Sequence, residues 1–114
     1  MLLFPAIEQR RQLRRPFVFD AKVLMDDVGP YSVITVNVSR HGLCLFSHRP
    51  LAIGRNYAIA IAVPDSPRRI NAWGTVVYCT STPDGFRAGV RFLDMDAFSK
   101  ACIDDLLTGQ DAVR

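Results

Sequence analysis

From residue 17 onwards the chain alternates between short apolar runs and breaks rich in Gly, Pro and Asp. Phe17–Met25 (FVFDAKVLM) combines β-branched and aromatic residues and reads as a strand. Asp26-Asp27-Val28-Gly29-Pro30 reads as a turn, because Asp and Gly supply special backbone angles and Pro30 lacks the donor that a central ladder needs. Tyr31–Val38 alternates, which predicts Tyr31, Val33 and Thr35 on one face and Ile34, Val36 and Val38 on the other. Leu43–Ser47 and Tyr57–Val63 are further strands, separated by the loop Arg49–Asn56. Pro64–Pro67 (PDSP) is a turn, and Arg69–Cys79 is a long strand in which Gly74 marks a bend or bulge. Thr82–Gly85 (TPDG) turns the chain into Phe86–Phe92. The period then changes. Phe98, Cys102 and Leu106 recur at i, i+4 and i+8, with Ile103 and Leu107 widening the stripe. With Asp94 and Asp96 as N-cap candidates and Gly109 as a stop, this predicts a helix over Ala97–Leu107. Six short strands and one terminal helix imply an all-β fold, a small antiparallel barrel or sandwich with a C-terminal helix.

A length of 114 residues suits one domain. Residues 17–109 are expected to form the barrel and helix. Residues 1–16, broken by Pro5 and Pro16, are expected to be a flexible arginine-rich segment. The hydrophobic share of 49% is enough to fold. The net charge of +3 is unevenly placed. Four of the fourteen basic residues lie in Arg10–Arg15 (RRQLRR); without them ten basic residues face eleven acidic ones. A nucleic-acid binder spreads its cations over a face, with exposed aromatics between them, so DNA or RNA is not the expected partner. A compact arginine cluster suits a small anionic ligand. No apolar run reaches membrane-spanning length, and MLLFPAI is too short for a signal h-region, so a cytoplasmic location is expected. Cys44, Cys79 and Cys102 are odd in number, widely spaced and set among apolar neighbours, as buried reduced thiols would be.

Catalytic chemistry finds little footing. His41, Cys44 and His48 lie close together, but their spacing matches no familiar zinc site. No nucleophile elbow or phosphate loop is present. Asp26-Asp27 and Asp104-Asp105 are sequence neighbours whose side chains diverge. No catalytic residue, metal ligand or cofactor is therefore expected. The remaining feature is Asn37–Gly42 (NVSRHG), which leaves one strand and enters the next. Asn37 and Ser39 can stabilise the turn or offer hydrogen bonds to the edge of a base. Gly42 can take a positive φ or admit a close approach of another group.

The order RxxxR, strand, [D/N]xSxxG resembles the PilZ domain, a bacterial receptor for cyclic di-GMP. Arg10-Arg11-Gln12-Leu13-Arg14 matches the first motif and Asn37-Val38-Ser39-Arg40-His41-Gly42 the second. Ala72-Trp73-Gly74-Thr75-Val76-Val77-Tyr78 and Gly89-Val90-Arg91-Phe92 are similar to late strands of the family. The resemblance runs from about Gln9 to Asp94. It implies a six-stranded antiparallel β-barrel that binds cyclic di-GMP through Arg10 and Arg14, with Arg11 auxiliary, and through Asn37, Ser39 and Gly42. Arg11–Arg15 is a second possible RxxxR register. By this resemblance the protein is no enzyme. It is a receptor and adaptor that closes its arginine segment on the ligand and passes the signal to an unidentified effector protein, in motility or biofilm control. The alternative within the same family is a module for pilus assembly or chemotaxis that binds no nucleotide.

Overall fold

The computed structural model describes residues 15–25, 28–64 and 66–109. Seven strands form one antiparallel sheet: β1 (Arg15–Pro16), β2 (Asp20–Met25), β3 (Val28–Val38), β4 (Gly42–Ser47), β5 (Asn56–Ala62), β6 (Arg69–Thr82) and β7 (Gly85–Met95). Their spatial order is β1-β3-β2-β5-β6-β7-β4, and a further β3–β4 pairing closes the last six into a barrel. The two-residue β1 lies beside the far end of β3, in line with β2. Helix α1 (Ala97–Asp104) follows and ends in a π-helical turn, Asp105–Gly109.

The barrel closes because its six strands turn apolar side chains inward. Ala21, Val23, Ile59, Ile61, Ile70, Val76, Leu43 and Leu45 fill the interior, with Phe17, Ile103 and Leu107 packed against them. Closure leaves no long unpaired edge in the six-stranded ring.

Several details differ from the sequence pattern. The strand expected over Phe17–Met25 begins at Asp20, because Phe17–Phe19 are held by Thr35 and Val36 outside the regular ladder. The segment 28–30 belongs to β3, so the expected turn is shorter, and Asp26 and Asp27 lie outside the described residues. Pro30 is tolerated in the strand because the register shifts between Val23 and Met25, where it owes no ladder bond. In β3 the register also shifts between Thr35 and Asn37. One extra residue, Val36, exchanges the two faces: Val33 and Thr35 point inward before it and Val38 points inward after it, while Ile34 is 43% exposed. In α1 the buried line is Ser99, Ile103 and Leu107, one position off the Phe98, Cys102, Leu106 line, whose members are half-buried. A serine can occupy the inner line because its hydroxyl accepts the Asn71 amide of β6 at 2.8 Å. Asp96 caps the helix, accepting from the Ser99 amide at 2.7 Å. That hydrogen bond holds the Asp96 carboxyl below its ordinary pKa. The three thiols are free, but only Cys44 is buried; Cys79 and Cys102 are half-buried. Desolvation first, then the nearby Asp105 charge, raises the Cys102 pKa.

Candidate functional site

The second motif begins where β1 joins β3. Arg15 lies opposite Val38, and Pro16 opposite Asn37. Between β1 and β2 the chain is held by two residues of β3, Thr35 and Val36. The Phe17 amide donates to the Val36 carbonyl at 2.9 Å, and the Thr35 amide to the Phe19 carbonyl at 2.9 Å. The Thr35 hydroxyl, fully buried, donates to the Phe17 carbonyl and accepts the Phe19 amide at 2.9 Å. A side-chain oxygen thus serves backbone groups that the regular ladder does not reach, because residues 17–19 face only Thr35 and Val36. Phe17 is buried by the same arrangement, its ring edge-on to Phe19 at 4.6 Å. The N-terminal segment therefore enters the barrel beside the Asn37–Gly42 turn. Arg10, Arg11 and Arg14, and the expected flexibility of their segment, lie outside the described residues.

The turn is internally satisfied. The Ser39 amide donates to the Gly42 carbonyl at 2.8 Å, and the Ser39 hydroxyl donates to the same carbonyl at 3.3 Å and accepts the His41 amide at 3.2 Å. Ser39 is 1% exposed, so its hydroxyl shapes the turn from within. Of the two reasons for a glycine at position 42, close approach is the one realised. A Cβ there would stand 2.1 Å from the Val90 carbonyl oxygen of β7. Asn37 follows the bulge on the outward side of β3, opposite Cys44. Arg40 reaches from the turn to the helix, its Nε 3.2 Å from Asp104 Oδ1. Both side chains are more than half exposed, so this pair is worth about 1 kcal/mol at most.

The outer face beyond the turn carries a residue that the motifs did not single out. Ala88 and Val90 point into the barrel, so Arg87, Gly89 and Arg91 of β7 point out. Tyr78 of β6 lies over Gly89: a Cβ there would fall 2.2 Å from the ring. The Tyr78 hydroxyl donates to Cys44 Sγ at 3.5 Å, and the residue is 43% exposed. Tyr78, Gly89, Cys44, Asn37 and Pro16 are successive cross-strand neighbours, forming one row across four seams of the sheet. The row offers an aromatic face at one end, a carboxamide near the other, and small residues between. Trp73 is also on the outside, 42% exposed, but it pairs with Asp94 and Ala58, away from this row. A surface groove of about 420 Å³ between Asp20, Ile34, Phe46 and Arg69 contains no motif residue.

Among the described residues no three His, Cys, Asp or Glu side chains group as metal ligands. His41 is exposed, and the His48 ring stands edge-on to Phe46 at 5.3 Å. Among the described residues no helix is long and apolar enough to cross a membrane.

Comparison with known proteins bears on this arrangement directly. The PilZ domain family model matches residues 8–109. By sequence, no curated protein matches. Among solved structures, the Bacillus subtilis inhibitor of motility (MotI/DgrA) superposes with a TM-score of 0.73 at 14% identity, over 92% of this chain and 52% of that one. The PilZ domain of Escherichia coli YcgR with c-di-GMP gives 0.72 at 11% identity, over 92% of this chain and 93% of that one. YcgR in complex with c-di-GMP gives 0.74 at 12% identity, over 92% of this chain and 47% of that one. The chain thus spans about half the length of the inhibitor of motility and of the longer YcgR chain. At these identities the likeness establishes a shared fold.

Proposed function

The chain belongs to the PilZ domain family, and on that premise we propose that it binds cyclic di-GMP between its N-terminal arginines and the Asn37–Gly42 turn, without catalysis, and relays the binding to a protein partner. The observation that carries this reading is the β1–β3 register, Arg15 opposite Val38 and Pro16 opposite Asn37. Arg14 is one peptide bond from Arg15, so its Cα begins about 3.8 Å from a residue already placed against the turn. Arg10 lies four residues earlier, a spacing that returns to the same side of an extended segment.

The ligand chemistry fits these groups. Cyclic di-GMP presents two phosphates and two guanines. Guanidinium forks pair with phosphate oxygens, and with O6 and N7 of guanine, through two parallel hydrogen bonds. Asn37 supplies a donor and an acceptor to a base edge. Ser39 and Gly42 act by holding the turn in shape and letting β4 close against β7. The exposed Tyr78 face offers stacking area at the far end of the row. Neutralising the clustered arginines removes their mutual repulsion and lets the segment close on the ligand, which changes the surface presented to the partner.

Calorimetric titration of the intact chain with cyclic di-GMP tests the reading. Saturable binding is expected, weakened about ten- to a hundredfold by Arg14→Ala, as loss of a charged hydrogen-bonding partner requires. Absence of binding, or an Arg14→Ala variant with unchanged affinity, overturns it.

A further inference from the structure

The outer face of β7 carries two arginines that the sequence motifs do not include, Arg87 and Arg91, on either side of Gly89 and the Tyr78 ring. Both are exposed, and among the described residues neither side chain makes a hydrogen bond or ion pair. Their surroundings differ. Arg91 lies opposite Gly42 of the turn on one side and Thr75 on the other. The Thr75 hydroxyl is committed to Asn56 Oδ1 at 2.6 Å. Arg87 lies opposite Phe46, whose half-buried ring stands between it and β3.

Direction along the sheet separates the two further. From Pro16 to Arg15 the chain steps from Asn37 to Val38, towards the turn end of the barrel. From Cys44 to Gly42 leads to that same end, and so does the step from Gly89 to Arg91. Gly42 has no side chain, and the small Cys44 is covered by the Tyr78 hydroxyl. The surface between Arg91 and Asn37 is therefore a shallow trough floored by β4. With strands about 4.8 Å apart and about 3.4 Å per residue, the Cα atoms of Arg91 and Asn37 lie about 12 Å apart across it. One cyclic dinucleotide can reach both walls.

We propose that Arg91 is a further phosphate-binding residue of the cyclic dinucleotide site, meeting the ligand from β7, across β4 from Asn37. The assignment rests on the ligand reading above. It adds that the β7 arginine next to the glycine of the turn, and not its equally charged neighbour Arg87, belongs to the site. Arg91 supplies a planar fork to a phosphate oxygen.

The test is titration of cyclic di-GMP onto the intact chain and its Arg91→Ala, Arg91→Lys and Arg87→Ala variants, with thermal melting of each in the absence of ligand. Arg91→Ala is expected to weaken binding at least tenfold, with melting unchanged because the side chain is exposed. Arg91→Lys is expected to recover part of the loss, because charge returns without the fork. Arg87→Ala is expected to stay within twofold of the unaltered protein. Equal weakening by Arg87→Ala and Arg91→Ala would mean that bulk charge alone is felt, and overturns the assignment. So does an Arg91→Ala variant that binds normally. Failure of the unaltered chain to bind cyclic di-GMP overturns the function proposed above and removes the basis for this site with it.

Discussion

Replacing Thr35 by valine removes one oxygen from the barrel wall and nothing from its shape. That oxygen accepts the Phe19 amide at 2.9 Å and donates to the Phe17 carbonyl. Both groups lie between β1 and β2, where residues 17–19 face only Thr35 and Val36 and the ladder is out of register. In Thr35→Val neither group has a replacement partner within the fully buried site. Each buried orphan costs about 1–3 kcal/mol, and the added methyl returns about 0.8 kcal/mol of burial. The expected net loss is about 2–3 kcal/mol. Urea denaturation reads it as a midpoint about 2 M lower, for a slope of about 1.2 kcal/mol per M. Thr35→Ser is the control. It keeps both hydrogen bonds and loses one buried methyl, for about 1 kcal/mol. The order of stability is thus threonine, then serine, then valine, so that the most hydrophobic of the three side chains gives the least stable protein. Under the proposed function, affinity for cyclic di-GMP is expected to follow the same order, because the oxygen fixes the chain that leads from Arg15 into β2. A valine variant as stable as the serine variant would refute the argument, since the bulge would then be held by the backbone alone.

Gly42→Ala places a Cβ 2.1 Å from a backbone oxygen across the β4–β7 seam, where no side chain can yield. It is expected to cost about 3 kcal/mol and lower the melting temperature by about 10 °C or more. Ser99→Ala leaves the Asn71 amide of β6 without its partner. A loss of about 1–2 kcal/mol by chemical denaturation is expected, with faster hydrogen exchange at that amide. The helix cap gives a pH dependence of known sign. Asp96 has its pKa lowered in the folded chain by the Ser99 amide, so its contribution is complete above the ordinary value of 3.8 and is lost as pH falls through the folded value. The stability difference between the unaltered chain and Asp96→Ala should therefore be constant at neutral pH and shrink below about pH 4; a difference independent of pH down to 2 would contradict the capping role.

Strand order and the closing helix were legible because alternation and helical periodicity are local properties, and turn residues mark their limits. The Asn37–Gly42 turn was legible as a motif, and the β1–β3 register sets Arg15 and Pro16 against Val38 and Asn37 at its start. The bulge at Gly74 was legible from its glycine, and the register does shift between Trp73 and Gly74, but those at Val36 and Val77 were not legible. Val36 and Val77 each insert one residue into an apolar run, and a valine at either place looks like a continuation of the strand. The consequence is large because a strand repeats every two residues, so one extra residue exchanges the faces. By plain alternation Tyr78 belongs inside with Ile70, Ala72 and Val76; the shift between Val76 and Tyr78 turns it outward over Gly89. Net charge misled in a similar way. Subtracting the arginine cluster leaves a nearly neutral body, but a sum carries no positions. Closing the barrel places Arg91 on the outer face, opposite the glycine of the Asn37–Gly42 turn and away from any paired acidic residue. A neutral body can therefore still present a locally basic wall to a small anion, provided that its acidic residues are held elsewhere. Two of them are held so here: Asp96 caps α1 and Asp104 pairs with Arg40.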